Sequence, residues 1–521
     1  MILSQKKNKN LDTVSNRRGK NMEKPSVEKS LAEKSFAEKS FVLERYPDYR
    51  MDIGIEVHVQ LCTQSKIFCS CSNALTDQQN KHICQICAGY PGVLPVLNRQ
   101  VVQFAVMAGI GTNCEISPIS QFDRKHYFYP DLPKNYQITQ NNLPICKTGY
   151  VMIRLEDGTE KKIRINRIHI EEDAGKNSHS DLTGESYVDL NRTGTPLIEI
   201  VSEPDIENAY EAKAYLKALR LIMQYLGVST CNMEEGSFRA DTNLSVRKKT
   251  SQTLGTRCEL KNINSFKFIS DAIEYETERQ ILALEAGQRI RQETRLWDSK
   301  NRKSMPMRSK EESADYRFCP DPDLSLIEVT ADTLAEIQKN FPELPYAKYH
   351  RYMKEWNLSA YEADVITSDV EFTKYFEAVM KLYPKKTAVH WFLRDVIGLV
   401  NEQKIELSAC PVTPAKLAKI VQMLDENLIN NTAAKEVFEI VAAQGGEPEA
   451  IVEQKGLKQI GSQDELEKIV VTILQENPAL IEQYKAGKQN VFGFFVGACM
   501  KATGGKGNPK MLQDLLKKHL Q

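Results

Sequence analysis

The sequence predicts an α+β protein, with one large strand-rich domain followed by two all-helical domains. From about residue 50 to 330, alternating runs such as YVMIRLE and KIRINRIHI stand between turns marked by Gly, Pro and Asn (YPGVLP, YPDLPKN, NRTGTP, CPDPDL). Beyond 330 the apolar positions adopt helical spacing. With 521 residues, the chain is also too long for a single core.

Residues 1–48 stand apart. They hold KKNKN and the five-residue repeat EKSLA-EKSFA-EKSFV (residues 28–42) without Gly-marked turns, and are expected to form a disordered or marginally helical extension. Six Lys or Arg against one Asp in residues 1–20 would suit a mitochondrial presequence, but the Glu-rich repeat argues against one. The strand-rich domain is expected over 49–330. Its clearest helix runs from Ala209 to Leu226, with Tyr215, Leu219, Ile222 and Leu226 on one face. A helical domain is expected over 331–406, where Phe372, Tyr375, Phe376, Val379, Met380 and Tyr383 share a face. LSACPVTP (407–414) carries two prolines and reads as a linker. A second helical domain is expected over 410–521, where Leu466, Ile469, Val470, Ile473 and Leu474 repeat the helical spacing. From Lys485 to the end, seven Lys face one Asp; Lys501 and Lys506 flank an ATGG loop that suits a phosphate backbone, or simply a solvated tail.

Composition excludes more than it assigns. Basic and acidic residues balance at 69 each, so a polyanionic partner would have to be met by a local patch. No run approaches 18 apolar residues, so no membrane span is expected. Twelve cysteines without a secretory signal favour a reducing compartment, the cytoplasm ahead of the mitochondrial matrix.

Six segments carry chemistry. In DIGIEVHVQL (52–61), period-2 alternation places Glu56 and His58 on one strand face, about 7 Å apart, as either a wet face or half a divalent-metal site. Cys69-x-Cys71 and Cys84-x2-Cys87 form a four-thiolate pattern suited to structural zinc, with a knuckle over 69–87. Glu171, Glu172 and Asp173 end the strand KIRINRIHIEED, where adjacent acids repel unless a cation is near, and alternation alone leaves open whether Glu171 or Glu172 faces inward. Glu199 stands in the apolar run PLIEIVSEP, where a lone charge is costly unless paired or coordinated. FDRKHYFYPDLPKNYQITQ (122–140) sets Arg124, Lys125, His126 and Lys134 among Tyr127, Phe128, Tyr129 and Tyr136, a pairing that clamps phosphates and stacks on bases. FRADTNLSV alternates Arg239, Asp241, Asn243 and Ser245 on one polar face, while Lys261, Arg308, Lys310 and Arg317 add charge further on. Neither a P-loop nor a G-x-G-x-x-G is present, so a nucleotide would be held by sheet-borne cations and metal.

In order, IGIEVHVQL, CSCSN…CQICAGYPGVLPVLN, FDRKHYFYPDLPKNYQITQ, HIEEDAGK, VDLNRTGTPLIEIVSEPD, EEGSFRADTNLSV, ELKNINSF, DYRFCPDPDL and GFFVGACMKATGGKGNPKMLQDLLKKHL resemble the B subunit of the tRNA-dependent aspartyl/glutamyl amidotransferases, from about residue 50 to the end. The resemblance implies a glutamine-synthetase-like cradle with two helical domains behind it, the last a tRNA-contacting tail. It implies partnership with an amidase A subunit and a small C subunit, and binding of misacylated Glu-tRNA(Gln) or Asp-tRNA(Asn). The cradle would use ATP and Mg2+ to phosphorylate the aminoacyl side chain, which ammonia from the A subunit then converts to the amide. On this pattern Glu56, His58, Glu172 and Glu199 map onto the catalytic metal-binding groups, and Lys125, Lys134 and Arg239 onto phosphate or carboxylate contacts. Cys319 and Asp321 depart from the family's usual aromatic residue and Glu, and no inserted domain of the archaeal E type interrupts the chain. The rival readings are a zinc-containing tRNA-binding scaffold without activity, and a free-standing ligase acting on a small acid.

Overall fold

The computed structural model describes residues 41–180, 184–307, 316–459 and 463–520. Residues 1–40 of the expected extension, and Arg308 and Lys310, lie outside them.

Ten strands position the site: β1 (Tyr49–Gln60), β2 (Asp123–His126), β3 (Tyr136–Thr139), β4 (Gly149–Arg154), β5 (Glu160–Glu172), β6 (Pro196–Ser202), β7 (Phe238–Lys248), β8 (Cys258–Lys261), β9 (Thr294–Asp298) and β10 (Lys303–Pro306). Eight form one sheet in the order β10-β9-β8-β7-β1-β6-β5-β4, antiparallel except at β8–β9. Strand β1, with the cleanest alternation in the sequence, runs through its middle. Ile53, Ile55, Val57 and Val59 of β1, Ile198 and Ile200 of β6, and Ala240 and Leu244 of β7 join one core with residues of two helices, α1 (Ala209–Tyr225) and α2 (Phe266–Glu285). Asn208 caps α1 by accepting from the Glu211 amide, and Tyr215, Leu216, Leu219, Ile222 and Met223 form its buried stripe. The other face of the sheet carries the polar half of each alternation.

Strand β5 contains an irregularity. Its register against β6 steps from Ile165↔Ser202 to Arg167↔Val201, leaving Asn166 as an extra residue. Ile163 and Ile165 therefore share the core with Ile168 and Ile170, which would point to opposite faces of an unbroken strand.

Three expectations are corrected. Phe41–Arg45 is a short helix, with Val42 buried in the main core, so 41–48 belongs to the folded body rather than to the extension. Residues 407–414 are not a linker: Leu407, Cys410 and Val412 lie in the second core, and Tyr375 donates a hydrogen bond to the Val412 carbonyl (2.6 Å). That core runs from Tyr349 to Val452, and a third holds Leu466 to Leu520, so the break between helical bodies falls after about 457 rather than at 407–414. The expected helices around Phe372 and Leu466 form at Val370–Leu382 and Gln463–Glu476.

The junction of the cradle with the second body is polar. Arg154 pairs with Asp364 and lies 3.8 Å from the Tyr349 ring centroid, and His350 meets Glu160 at 3.0 Å. Two asparagine contacts tie the third body to the second: Asn430 donates to the Gly505 carbonyl (2.7 Å) and Asn508 to Asn427 (3.4 Å).

Helix α2 is pinned to the sheet edge through Glu276. This fully buried carboxylate meets Arg279 (2.6 Å) and Arg295 (3.3 Å) and accepts from Gln280 (2.9 Å) and Ser304 (3.1 Å). Burial alone would raise its pKa, but these donors and cations hold it below the usual carboxylate range. Replacing Glu276 with Ala leaves Arg279 without its carboxylate and Arg295 with only Glu293, and the expected loss is about 3 kcal/mol in the cradle's unfolding transition, read by urea denaturation. Because the folded pKa is depressed, wild-type stability from this group is present above the ordinary glutamate range and lost as pH falls below it.

Candidate functional site

The polar face is built by cross-strand register. In β1, β6 and β5, His58 lies opposite Glu199, and Glu199 opposite His169. His58 Nε2 stands 3.3 Å from Glu199 and 3.5 Å from Glu171, while His169 Nε2 is 3.2 Å from Glu199 and 3.8 Å from Glu171. One ligand atom each of His58, Glu171 and Glu199 lies within 4.8 Å of the other two, a spacing that fits a divalent cation. Two oxygens and one imidazole nitrogen are its donor set.

The electrostatics follow from packing. Burial pulls the His58 imidazole down, but the Glu199 hydrogen bond and the charges of Glu171 and Glu199 outweigh it, so its pKa rises. The same competition pushes His169 up to about 9. Burial would raise Glu199, yet the two imidazoles hold it well below the usual range. Glu56 is displaced upward, first by burial and then by Glu199, Glu259 and Asp241, against the opposing charge of Lys261.

The expected residues divide into several groups. His58 and Glu199 meet as the metal reading requires, and Glu56 lies on the same face, its carboxylate accepting from Asn243 at 2.9 Å. Glu172 is a correction. Its neighbour Glu171 faces the imidazoles, whereas Glu172 points the other way, pairs with Lys134 and accepts from the Ile138 amide (2.9 Å). Arg239 lies opposite His58 and pairs with Asp173 (3.2 Å), which Arg192 (3.1 Å) and Gln60 (3.0 Å) also hold. Lys125 lies apart, on β2, its ammonium 4.7 Å from the Tyr316 ring centroid. Lys501 and Lys506 are exposed on the third body.

Sequence reasoning left the facing of Glu171 open and missed His169. The signal was alternation within IHIEE itself, which sets 167, 169 and 171 on one face once counting restarts after Asn166.

Beside this face, the sulfurs of Cys69, Cys71, Cys84 and Cys87 all lie within 4.8 Å of one another. A hydrogen bond with Cys69, aided by the nearby charge of buried Lys66, lowers Cys87 to about 4, while burial raises Cys71 to about 11. Four thiols converging without disulfides form a donor set for a tetrahedral ion.

An open, mainly antiparallel sheet with a carboxylate–imidazole centre, a thiol knuckle beside it and helical bodies behind defines a cradle-type catalytic protein. The chain belongs to the GatB/GatE family: the model of the GatB/GatE catalytic domain matches residues 51–335, and that of the GatB domain residues 374–520. It is 48% identical over 471 residues to the B subunit of an aspartyl/glutamyl-tRNA(Asn/Gln) amidotransferase from Persephonella marina, covering 90% of this chain and 99% of the relative. The like-named proteins of Thermoanaerobacter pseudethanolicus and Myxococcus xanthus are 50% and 49% identical, each over 91% of this chain and 99% of theirs. Among the described residues no helix is long and apolar enough to cross a membrane.

Two outcomes are expected. Glu171→Gln should weaken Mn2+ binding, measured by electron paramagnetic resonance, by at least about tenfold, while Glu172→Gln leaves it within about twofold. If the thiol cluster holds zinc, metal analysis should give about one zinc per wild-type chain and Cys84→Ser should abolish it.

Proposed function

We propose that this chain supplies the phosphorylating half of a tRNA-dependent amidotransferase. Its family role is that of the B subunit in such an enzyme, a carbon–nitrogen ligase with glutamine as nitrogen donor. The observation that carries the finer reading is the row His58–Glu199–His169, with Glu171 beside it, on the open face of the sheet.

A side-chain carboxylate resists amidation because its leaving group would be oxide. Phosphorylation replaces that leaving group with phosphate. In the proposed sequence a carboxylate oxygen of the tRNA-borne glutamate or aspartate attacks the γ-phosphorus of ATP, and ADP departs. Ammonia from a glutaminase A subunit then attacks the acyl carbon and releases inorganic phosphate. His58, Glu171 and Glu199 would hold Mg2+, which supplies neutralisation of phosphate charge when bound. Arg239, held by Asp173 opposite His58, is assigned to the transferred phosphoryl group or the substrate carboxylate. Glu56 sits at the edge of this centre, and Lys125 on β2 and Lys134, paired with Glu172, are assigned to phosphate or carboxylate contacts. Lys501 and Lys506 give the tail its contact with the tRNA backbone. A small C subunit completes a heterotrimer working in the cytoplasm, and the thiol knuckle binds structural zinc.

The test reconstitutes the chain with its A and C partners, ATP, glutamine and radiolabelled Glu-tRNA(Gln). Labelled Gln-tRNA and ATP hydrolysis dependent on charged tRNA are expected. Glu199→Gln should lower turnover by at least about 100-fold while tRNA binding persists. Binding of tRNA by the wild-type chain with no ATP turnover would instead make it an inactive scaffold. Lys501→Ala and Lys506→Ala should each weaken tRNA binding and reduce the slope of log affinity against log salt by about 1.

A further inference from the structure

In the row on the polar face, His58, Glu171 and Glu199 have an assigned task and His169 has none. Yet His169 is the more deeply buried imidazole, its side chain 5% exposed against 22% for His58. Burying a ring nitrogen is costly unless it finds a partner. Its Nδ1 has none, so among the described residues the polar contacts of the ring all run through Nε2 toward two carboxylates. An ionised carboxylate only accepts hydrogen bonds, so Nε2 carries a hydrogen toward Glu199 whichever charge the ring bears. A nitrogen in that state has no lone pair to give a cation. The set of mutually close ligand atoms accordingly contains His58 and not His169.

The carboxylates are held from the buried side. Glu171 turns its Oε1 toward His58 at 3.5 Å, whereas its Oε2 lies 3.8 Å from His169 and accepts from the Thr139 hydroxyl at 3.5 Å. Thr139 is itself buried. One oxygen is thus engaged from within the protein and the other is left toward the more exposed imidazole. Glu199 Oε2 is the oxygen nearest both rings, with His169 Nε2 at 3.2 Å and His58 Nε2 at 3.3 Å. A glutamate side chain has three torsions to fix, and a cation that had to fix them itself would bind more weakly. The extra residue Asn166 is what brings position 169 to this face, since an unbroken strand would turn it to the core.

We infer that His169 is a positioning residue for the divalent cation. Its Nε2–H fixes the Glu199 carboxylate and, with Thr139, it sets the turn of Glu171, so that both acids present oxygens beside His58 before the cation arrives. His169 itself touches neither cation nor substrate. This rests on the reading of His58, Glu171 and Glu199 as the cation's ligands, and adds to it the group that preorganises them.

The test substitutes His169 in the full chain within the complete heteromeric enzyme. It reads Mn2+ affinity by electron paramagnetic resonance beside the Mg2+ dependence of turnover. His169→Leu fills a similar volume without a donor, whereas His169→Gln returns an N–H near the place of Nε2. The leucine variant should weaken Mn2+ binding by about 10- to 100-fold and raise the Mg2+ concentration for half-maximal turnover by a similar factor, with KM for charged tRNA within about twofold. The glutamine variant should recover most of that loss, to within about threefold of wild type. Thr139→Val should weaken Mn2+ binding in the same direction by a smaller factor. A leucine variant that binds Mn2+ as tightly as wild type overturns the proposal, because the ring would then act only by filling space, and so does a glutamine variant no better than leucine. If His169→Leu does not fold, Thr139→Val decides, with unchanged Mn2+ affinity counting against the proposal. A wild-type enzyme that binds no Mn2+ would remove the cation reading and this inference with it; wild-type binding that His169→Leu leaves unmoved removes this inference alone.

Discussion

Two carboxylates cannot share a poorly solvated face unless protons or positive charge stand between them. Here the separators come from strand register. Glu199 lies between His58 on one neighbouring strand and His169 on the other, and Glu171 approaches both rings from β5. The site therefore needs β1, β5 and β6 adjacent and in this alignment. The alignment in turn is fixed by the opposite face, where Ile53, Val57, Ile168, Ile170, Ile198 and Ile200 pack in one core. Stability and site geometry are the two sides of the same pairing.

Much of this was legible in the sequence because β1, α1 and the helix around Phe372 follow their periods without interruption. His58 and Glu199 could be matched from distant segments because each broke a local rule, an imidazole on a strand face and a charge in an apolar run. Glu171 could not. The extra residue at Asn166 changes the parity of β5, so a count carried through KIRINRIHIEE assigns the wrong face to everything beyond it. The helical half misled for another reason. Pro411 does stand outside regular structure, but Pro414 opens the helix Pro414–Asp425, and the short connection between helices is itself buried, Val412 fully so. Backbone irregularity and domain boundary are separate properties, and composition reports only the first.

The three bodies are joined by contacts unlike those within them. Each has its own apolar core, whereas the junctions rest on ion pairs, an arginine over a tyrosine ring, and asparagine side chains. Such contacts exchange readily with water, so reorienting one body against another costs far less than unfolding any of them. A protein that must bring a large nucleic acid to a fixed chemical centre is well served by that division. The centre stays rigid within its sheet, and the adjustment is left to the joints.

The bulge at Asn166 has a consequence for how this protein can change over generations. Substitutions along β5 alter one side chain at a time and can be absorbed locally. Loss of a single codon there would act differently. Without the extra residue, the segment from Arg167 to Glu172 must either slip against its neighbours or turn over, exchanging the isoleucines for His169 and Glu171. This strand tolerates spelling errors but not changes in word length, and lineages that keep the centre intact must keep its residue count.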